Sequence, residues 1–228
     1  MDTHNQEKAD DESLEPPKLV LYSNWQSSCS WRVRFALNLK GISYEYKAVD
    51  LRKEKQYTAE FDKLNPMHLV PALVDGDFVV SDSYAILLYL EEKYPQKALL
   101  PHDPRLKALN LQAASIISSS IQPLQMLNVL KYIEEKAGPE ERLSWAQYAI
   151  ERGFQALEKL LENVATRYAT GDEVCLADVF LAPQIAIATL RFQIDMAKFP
   201  TLRRIHESYK TLPEYEASSP ERQPDAMI

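Results

Sequence analysis

A chain of 228 residues with 26 Lys and Arg against 33 Asp and Glu, net charge −7, holds 46% hydrophobic and 26% charged residues, the make-up of an ordinary globular protein of one large or two small domains. Net acidity without a basic cluster removes the electrostatic term that nucleic-acid binding depends on. Two cysteines, Cys29 and Cys175, four scattered histidines and no long apolar run argue against a disulfide framework, a metal site, a signal peptide or a membrane partner, and predict a cytoplasmic protein.

In chain order, residues 1–17 read as a disordered acidic tail closed by Pro16-Pro17. Lys18 to Tyr22 is an apolar run with the length of a buried strand, and Ser30 to Lys40 has helical spacing with Gly41 where a helix-ending glycine belongs. Tyr44 to Val49 predicts a second strand and Glu54 to Leu64 a short helix stopped by Asn65-Pro66. Ala72 to Val74, a turn at Asp75-Gly76-Asp77 and Phe78 to Val80 predict a hairpin; Ser83 to Tyr94 predicts a helix capped by Asp82 or Ser83. The order β-α-β-α-β-β-α over residues 18–95 is the thioredoxin-like arrangement, with Val70-Pro71 ahead of the third strand as a candidate cis bond. Residues 96–104 read as a linker, and 105–228 as an all-helical domain. Its predicted helices are Arg105 to Lys136, bent at Pro123, then Pro139 to Tyr168, Ala177 to Thr189, Pro200 to Tyr209 and a last turn near Glu214.

The stretch that bears on chemistry is Ser27 to Leu37, SSCSWRVRFAL, at the junction of first strand and first helix. Unpaired backbone N–H groups and the positive end of the helix dipole favour an anion there, and hydroxyl donors stabilise a thiolate. From the residues alone the favoured reading is the plainer one, Ser27 or Ser28 a helix cap and Cys29 a small buried hydrophobe.

The whole pattern resembles the zeta class of glutathione transferases, also known as maleylacetoacetate isomerases, with plant members nearest. The resemblance runs on through NPMHLVPALVDGD (Asn65 to Asp77), SDSYAILLYLEEKYP (Ser81 to Pro95), IQPLQ (Ile121 to Gln125), GDEVCLADVFLAPQ (Gly171 to Gln184), RFQID (Arg191 to Asp195) and RQPD (Arg222 to Asp225). It implies a thioredoxin-like N-terminal domain followed by an all-helical one, glutathione as cofactor, a small acidic or electrophilic substrate, and a homodimer. Carried over by position, it implies that Ser27 acts on the glutathione sulfur with Ser28 and Cys29 lining the same pocket, and that Gln56 meets the glycyl end. Val70 beside Pro71 would pair with the cysteinyl part through its backbone, Asp82 and Ser83 would hold the γ-glutamyl group, Gln122 would approach the glutathione of the same or the facing subunit, and Arg191 would bind a substrate carboxylate. Asp178 would serve folding as a cap. Departures from the pattern are Gln26 in place of arginine, Met126 and Asn128 after IQPLQ, and Cys175 in a cap slot that usually holds a hydroxyl. The implied activity is cis–trans isomerisation of maleylacetoacetate to fumarylacetoacetate in tyrosine catabolism, with transferase and α-halo acid dehalogenating side reactions. Other readings are a glutathione-gated carrier of apolar ligands and a thiol oxidoreductase using Cys29, the latter disfavoured because serine stands first in the run.

Overall fold

The computed structural model describes residues 19–226, so the expected acidic tail lies outside the described residues. Four strands, β1 (Leu19–Ser23), β2 (Tyr44–Ala48), β3 (Ala72–Asp75) and β4 (Phe78–Ser81), form one sheet in the order β2-β1-β3-β4. Helix α1 (Ser28–Lys40) crosses over between β1 and β2, which are therefore parallel, while β3 runs antiparallel to both β1 and β4. Gly76, at φ 63, supplies the left-handed residue of the β3–β4 turn. Tyr22 lies opposite Ala72, and Ala72 opposite Ser81. The segments after β1, before β3 and after β4 consequently meet at one end of the sheet.

Helix α1 is buried nearly all round because it is covered on two sides. Val33 and Leu37 pack towards the sheet with Leu21, Leu73 and Ile86, whereas Trp31 and Phe35 join the larger core of the helical part. The helix ends as its sequence predicts, Gly41 at φ 68 donating its N–H to Asn38 and Leu37 carbonyls. Two further helices complete this part, the single-turn α2 (Ala59–Asp62) and α3 (Ser83–Lys93).

Here the sequence-based helix over 54–64 needs correction. Glu54 at φ 55 interrupts it, leaving two 3₁₀ turns, Leu51–Lys53 and Lys55–Tyr57, before α2. The Asp50 carboxylate takes the N–H groups of Arg52 and Lys53, and Thr58 Oγ takes that of Phe61, so the first and last of these pieces have side-chain caps while Lys55–Tyr57 has none. The predicted linker is firmly held: Lys40, its side chain 1% exposed, pairs with Glu91 at 2.7 Å and donates to the Tyr94 and Lys97 carbonyls. Glu91 in turn accepts the N–H groups of Leu99 and Leu100.

The helical part comprises α4 (Pro104–Ser115), α5 (Leu127–Ala137), α6 (Pro139–Leu161), α7 (Leu176–Phe192), α8 (Pro200–Tyr209) and α9 (Pro213–Ser218). The single bent helix predicted for 105–136 is broken instead. α4 widens into a π-helical segment, Ile116–Ile121, tightens into a 3₁₀ turn, Gln122–Gln125, and reaches α5 through an extended Met126. Pro123 lacks the N–H that would continue the ladder. Gly153 of α6 lets that helix approach so closely that a Cβ there would lie 2.2 Å from Ile121 Cγ1. α6 stops at Leu161, short of the predicted Tyr168, and α7 extends past the predicted Thr189 to Phe192. Buried Asp178 holds the start of α7, its carboxylate accepting from the N–H groups of Cys175 and Ala169, each at 2.8 Å, and from Tyr209 Oη at 2.6 Å. Among the described residues no helix is long and apolar enough to cross a membrane.

Candidate active site

Ser27 is the cap of α1: its backbone is extended (φ −74, ψ 117) and its Oγ accepts the Ser30 N–H at 3.2 Å. Ser28 and Cys29 are then the first two helical residues, and all three side chains are half-buried, with Cys29 a free thiol. Because the Ser27 hydroxyl accepts from Ser30, its own hydrogen remains to be given to a ligand. The Cys29 N–H belongs to the first turn and has no partner among the described residues.

The turn that presents Ser27 is held from three directions. Asn24, buried, donates to the Val49 carbonyl at 3.0 Å and accepts the Gln26 N–H at 3.1 Å. Arg34, wholly buried, donates to Ser23 Oγ and to the carbonyls of Asn24, Trp25 and Ser218 at 3.0 to 3.3 Å, burial lowering its pKa to about 10. Asp225, 200 residues further on, accepts the Trp25 N–H at 3.1 Å and the Tyr46 hydroxyl at 2.6 Å. Burial, with that hydrogen bond, pushes the Tyr46 pKa far above its ordinary value.

At the same end of the sheet lies the cis Val70–Pro71 bond. Val70 is buried, yet neither its N–H nor its C=O is hydrogen-bonded among the described residues. The preceding loop is shaped by Asn65, which donates to the Leu69 carbonyl at 2.7 Å, and by His68 at φ 56, whose Nδ1 donates to the Gln56 carbonyl at 3.0 Å. Gln56 is itself buried and its Oε1 meets no donor. After β4, Asp82 adopts φ 75 and caps α3, one carboxylate oxygen taking the N–H groups of Tyr84 and Ala85 while the other has no partner among the described residues. Ser83 is buried and its Oγ accepts from Arg32 at 3.2 Å.

The unmet groups at this end of the sheet are a backbone donor and acceptor at Val70, an acceptor at Gln56, a carboxylate oxygen at Asp82, hydroxyl hydrogens at Ser27 and Ser83, and a helix N-terminus. Together they match a short peptide-like molecule with a zwitterionic end and a thiolate, which is the make-up of glutathione.

Gln122 and Arg191 stand in the helical part and make no hydrogen bond or ion pair to the Ser27 turn. Gln122 opens the 3₁₀ turn, half-buried and with no hydrogen bond to its amide. Arg191, at the end of α7, presents an exposed surface, lies 5.8 Å from the Phe192 ring and forms no ion pair among the described residues. Partial desolvation, and then the neighbouring Arg142, hold its pKa below the usual arginine value. α6 ties the two regions together: Trp145 Nε1 donates to the Leu124 carbonyl and Gln147 Nε2 to that of Phe192, both at 3.0 Å. Of the departures, Gln26 and Asn128 are exposed and Met126 is the extended joint before α5. Sequence reasoning assigned no role to Asn24, Arg32, Arg34 or Asp225. The available signal was two arginines, spaced i and i+2, inside an otherwise apolar helix.

Residues 26–93 match the glutathione S-transferase N-terminal domain and residues 124–217 the C-terminal domain. The chain is 59% identical to a zeta-class glutathione S-transferase of Euphorbia esula, over 94% of this chain and 96% of that one. To a maleylacetoacetate isomerase of Rattus norvegicus it is 48% identical, over 93% of this chain and 97% of the relative. A crystal structure of maleylacetoacetate isomerase from Anaeromyxobacter dehalogenans with glutathione in its active site superimposes with a TM-score of 0.86 at 42% identity, covering 94% of this chain and all of that one. With the sheet, the helical part and the Ser27 turn in place, the chain belongs to the glutathione S-transferases, zeta class.

Proposed function

We propose that the chain is a glutathione-dependent cis–trans isomerase converting maleylacetoacetate to fumarylacetoacetate, with transferase and α-halo acid dehalogenating side activities. The observation that carries the reading is the convergence, at one end of the sheet, of a capped helix N-terminus bearing Ser27, Ser28 and Cys29 with the unpaired Val70 backbone and the Asp82-Ser83 pair. Glutathione supplies, when bound, a thiolate that adds to the cis double bond, permits rotation about the resulting single bond and leaves again. Ser27 directs its hydroxyl hydrogen, and α1 its first-turn N–H groups, at that sulfur. Val70 pairs its N–H and C=O with the cysteinyl backbone, as an added strand would. Asp82 receives the γ-glutamyl ammonium on its unused oxygen, Ser83 donates to the neighbouring carboxylate, and Gln56 accepts an N–H of the glycyl end. Gln122 closes over glutathione from the helical side, and Arg191, with no internal carboxylate partner, takes a substrate carboxylate.

The test is a glutathione-dependent assay of maleylacetone isomerisation, with dichloroacetate and a dinitrobenzene acceptor alongside. Isomerisation absent while the dinitrobenzene reaction proceeds would make the chain a transferase of another specificity. The working form is a cytoplasmic homodimer, a reading favoured by apolar side chains left outside the fold at Met67, 72% exposed, and Phe78, 48% exposed. Sedimentation at micromolar concentration is expected to give twice the 26.1 kDa chain mass.

A further inference from the structure

The two arginines of the first helix are both buried, Arg32 at 1% and Arg34 at 0% exposure, but their surroundings differ. Arg34 is fully occupied by a serine hydroxyl and three backbone carbonyls. Among the described residues Arg32 has a single hydrogen bond, from Nη1 to Ser83 Oγ, and its Nε and Nη2 reach no acceptor. No carboxylate among the described residues forms an ion pair with it; its guanidinium lies instead 4.7 Å from the centre of the Phe180 ring of α7. A ring face offsets only part of the cost of burying a cation without a counter-charge. A folding role alone would be met better by an apolar side chain. The ionisable groups facing it are Cys29, one turn earlier on α1, and Asp82, ahead of α3.

We propose that Arg32 is a positioning residue for the γ-glutamyl end of glutathione: clamped between the Phe180 ring and Ser83 Oγ, it turns the serine hydrogen outward and sets a buried positive charge behind the bound carboxylate. A hydroxyl that accepts from a guanidinium keeps its own hydrogen, and Ser83 Oγ donates to no group among the described residues. As the first residue of α3, Ser83 has no preceding helical carbonyl to which that hydrogen could turn back. The inference rests on the Asp82-Ser83 pair holding the γ-glutamyl group, as proposed above.

Calorimetric titration with S-methylglutathione, which has no thiol to ionise and does not turn over, tests both layers. Ser83→Ala and Arg32→Gln are each expected to weaken binding about tenfold, and the double variant also about tenfold, because the two residues act as one unit. Arg32→Lys, which keeps the charge, should stay within about threefold of the parent. S-methyl-cysteinylglycine, lacking the γ-glutamyl residue, should bind all variants alike. In turnover, Arg32→Gln should raise KM for glutathione about tenfold and lower kcat less than about threefold. If Ser83→Ala leaves S-methylglutathione binding intact, the site assignment fails. If Ser83→Ala weakens it and Arg32→Gln does not, or if the two effects multiply in full, only the role of Arg32 is overturned. Should Arg32→Gln not fold, Phe180→Leu removes the ring while leaving cation and serine in place; a loss of about threefold is expected, and unchanged binding would overturn the proposal.

Discussion

Ser27 divides its hydroxyl between two tasks, an acceptor for the Ser30 N–H and a donor towards the ligand sulfur. Ser27→Ala is therefore expected to lower turnover by about 10²–10³-fold, the effect of losing one preorganised donor, and to cost about 1 kcal/mol as a lost cap. Ser27→Thr should keep both; steady-state kinetics and urea unfolding separate the two losses, and full activity in Ser27→Ala with loss in Ser28→Ala would move the donor to Ser28. Ser27, Asp82 and the candidate cis bond before Pro71 were legible in the sequence because a helix cap and an X-Pro bond are local features. Asp225 and Arg34 were not, since their partners lie up to 200 residues away. A second residue-scale prediction concerns Tyr209, whose hydroxyl bonds Asp178 at 2.6 Å and whose ring lies 6.4 Å from His206. Burial pushes the Asp178 carboxyl up to about 6 and the His206 imidazole, which lacks a partner at Nε2, down to about 4. The raised carboxyl contributes stability at acid pH that is lost as pH climbs from about 4 to about 6; the depressed imidazole contributes stability at neutral pH that is lost as pH falls from about 6.5 to about 4. The two contributions, each on the order of 3 kcal/mol, oppose one another over the same window. His206→Gln should thus gain roughly 3 kcal/mol relative to the parent between pH 7 and pH 4, read from urea midpoints at both values; a constant difference would show that His206 titrates normally.

Among the elements, the π-helical segment is the one whose shape no periodicity announced. Apolar spacing continues through Ile116, Ile117 and Ile121, so the sequence reads as one helix; the wide turn stands where Ile121 meets the bare face of Gly153, just ahead of Pro123. Gly153→Ala places a methyl against Ile121 and is expected to cost about 1–3 kcal/mol. Since Ile121 immediately precedes Gln122, the same change should raise KM for glutathione more than it alters kcat. Ile121→Ala, which removes the obstructing atoms, should leave the double variant less destabilised than the sum of the single ones. Equal and additive losses would mean that the contact is unimportant. The strands and α1, by contrast, followed from pattern alone, because each is covered by neighbours that its own alternation or apolar face specifies. The helix expected before Val70 is broken for the opposite reason: Asp50 and Thr58 cap as readily as they continue a turn, and Glu54 stands between them at φ 55.

At the scale of the molecule, sheet and helical part are fastened at both margins. The Lys40–Glu91 pair secures the connecting segment, while Trp31 Nε1 bonds Ser218 Oγ at 2.9 Å and Asp225 reaches back to Trp25 and Tyr46. Asp225→Ala removes one acceptor from two donors, so stability is expected to fall by about 1–3 kcal/mol, and turnover by about tenfold through misplacement of the Ser27 turn. Faster hydrogen exchange at the Trp25 amide would accompany it; normal exchange with normal activity would mean that the turn stands without this support. The same bond imposes an order in time. A ribosome adds about 5–20 residues per second, so the 200 residues separating Trp25 from Asp225 represent on the order of ten to forty seconds of synthesis. Throughout that interval the nascent chain already carries Ser27, Ser28 and Cys29, but its first loop lacks the carboxylate that fixes it. The start of α1, with its thiol, is made early, and the Trp25 turn that leads into it gains its last anchor late. The arrival of Asp225 supplies the last anchor, to the Trp25 N–H and the Tyr46 hydroxyl.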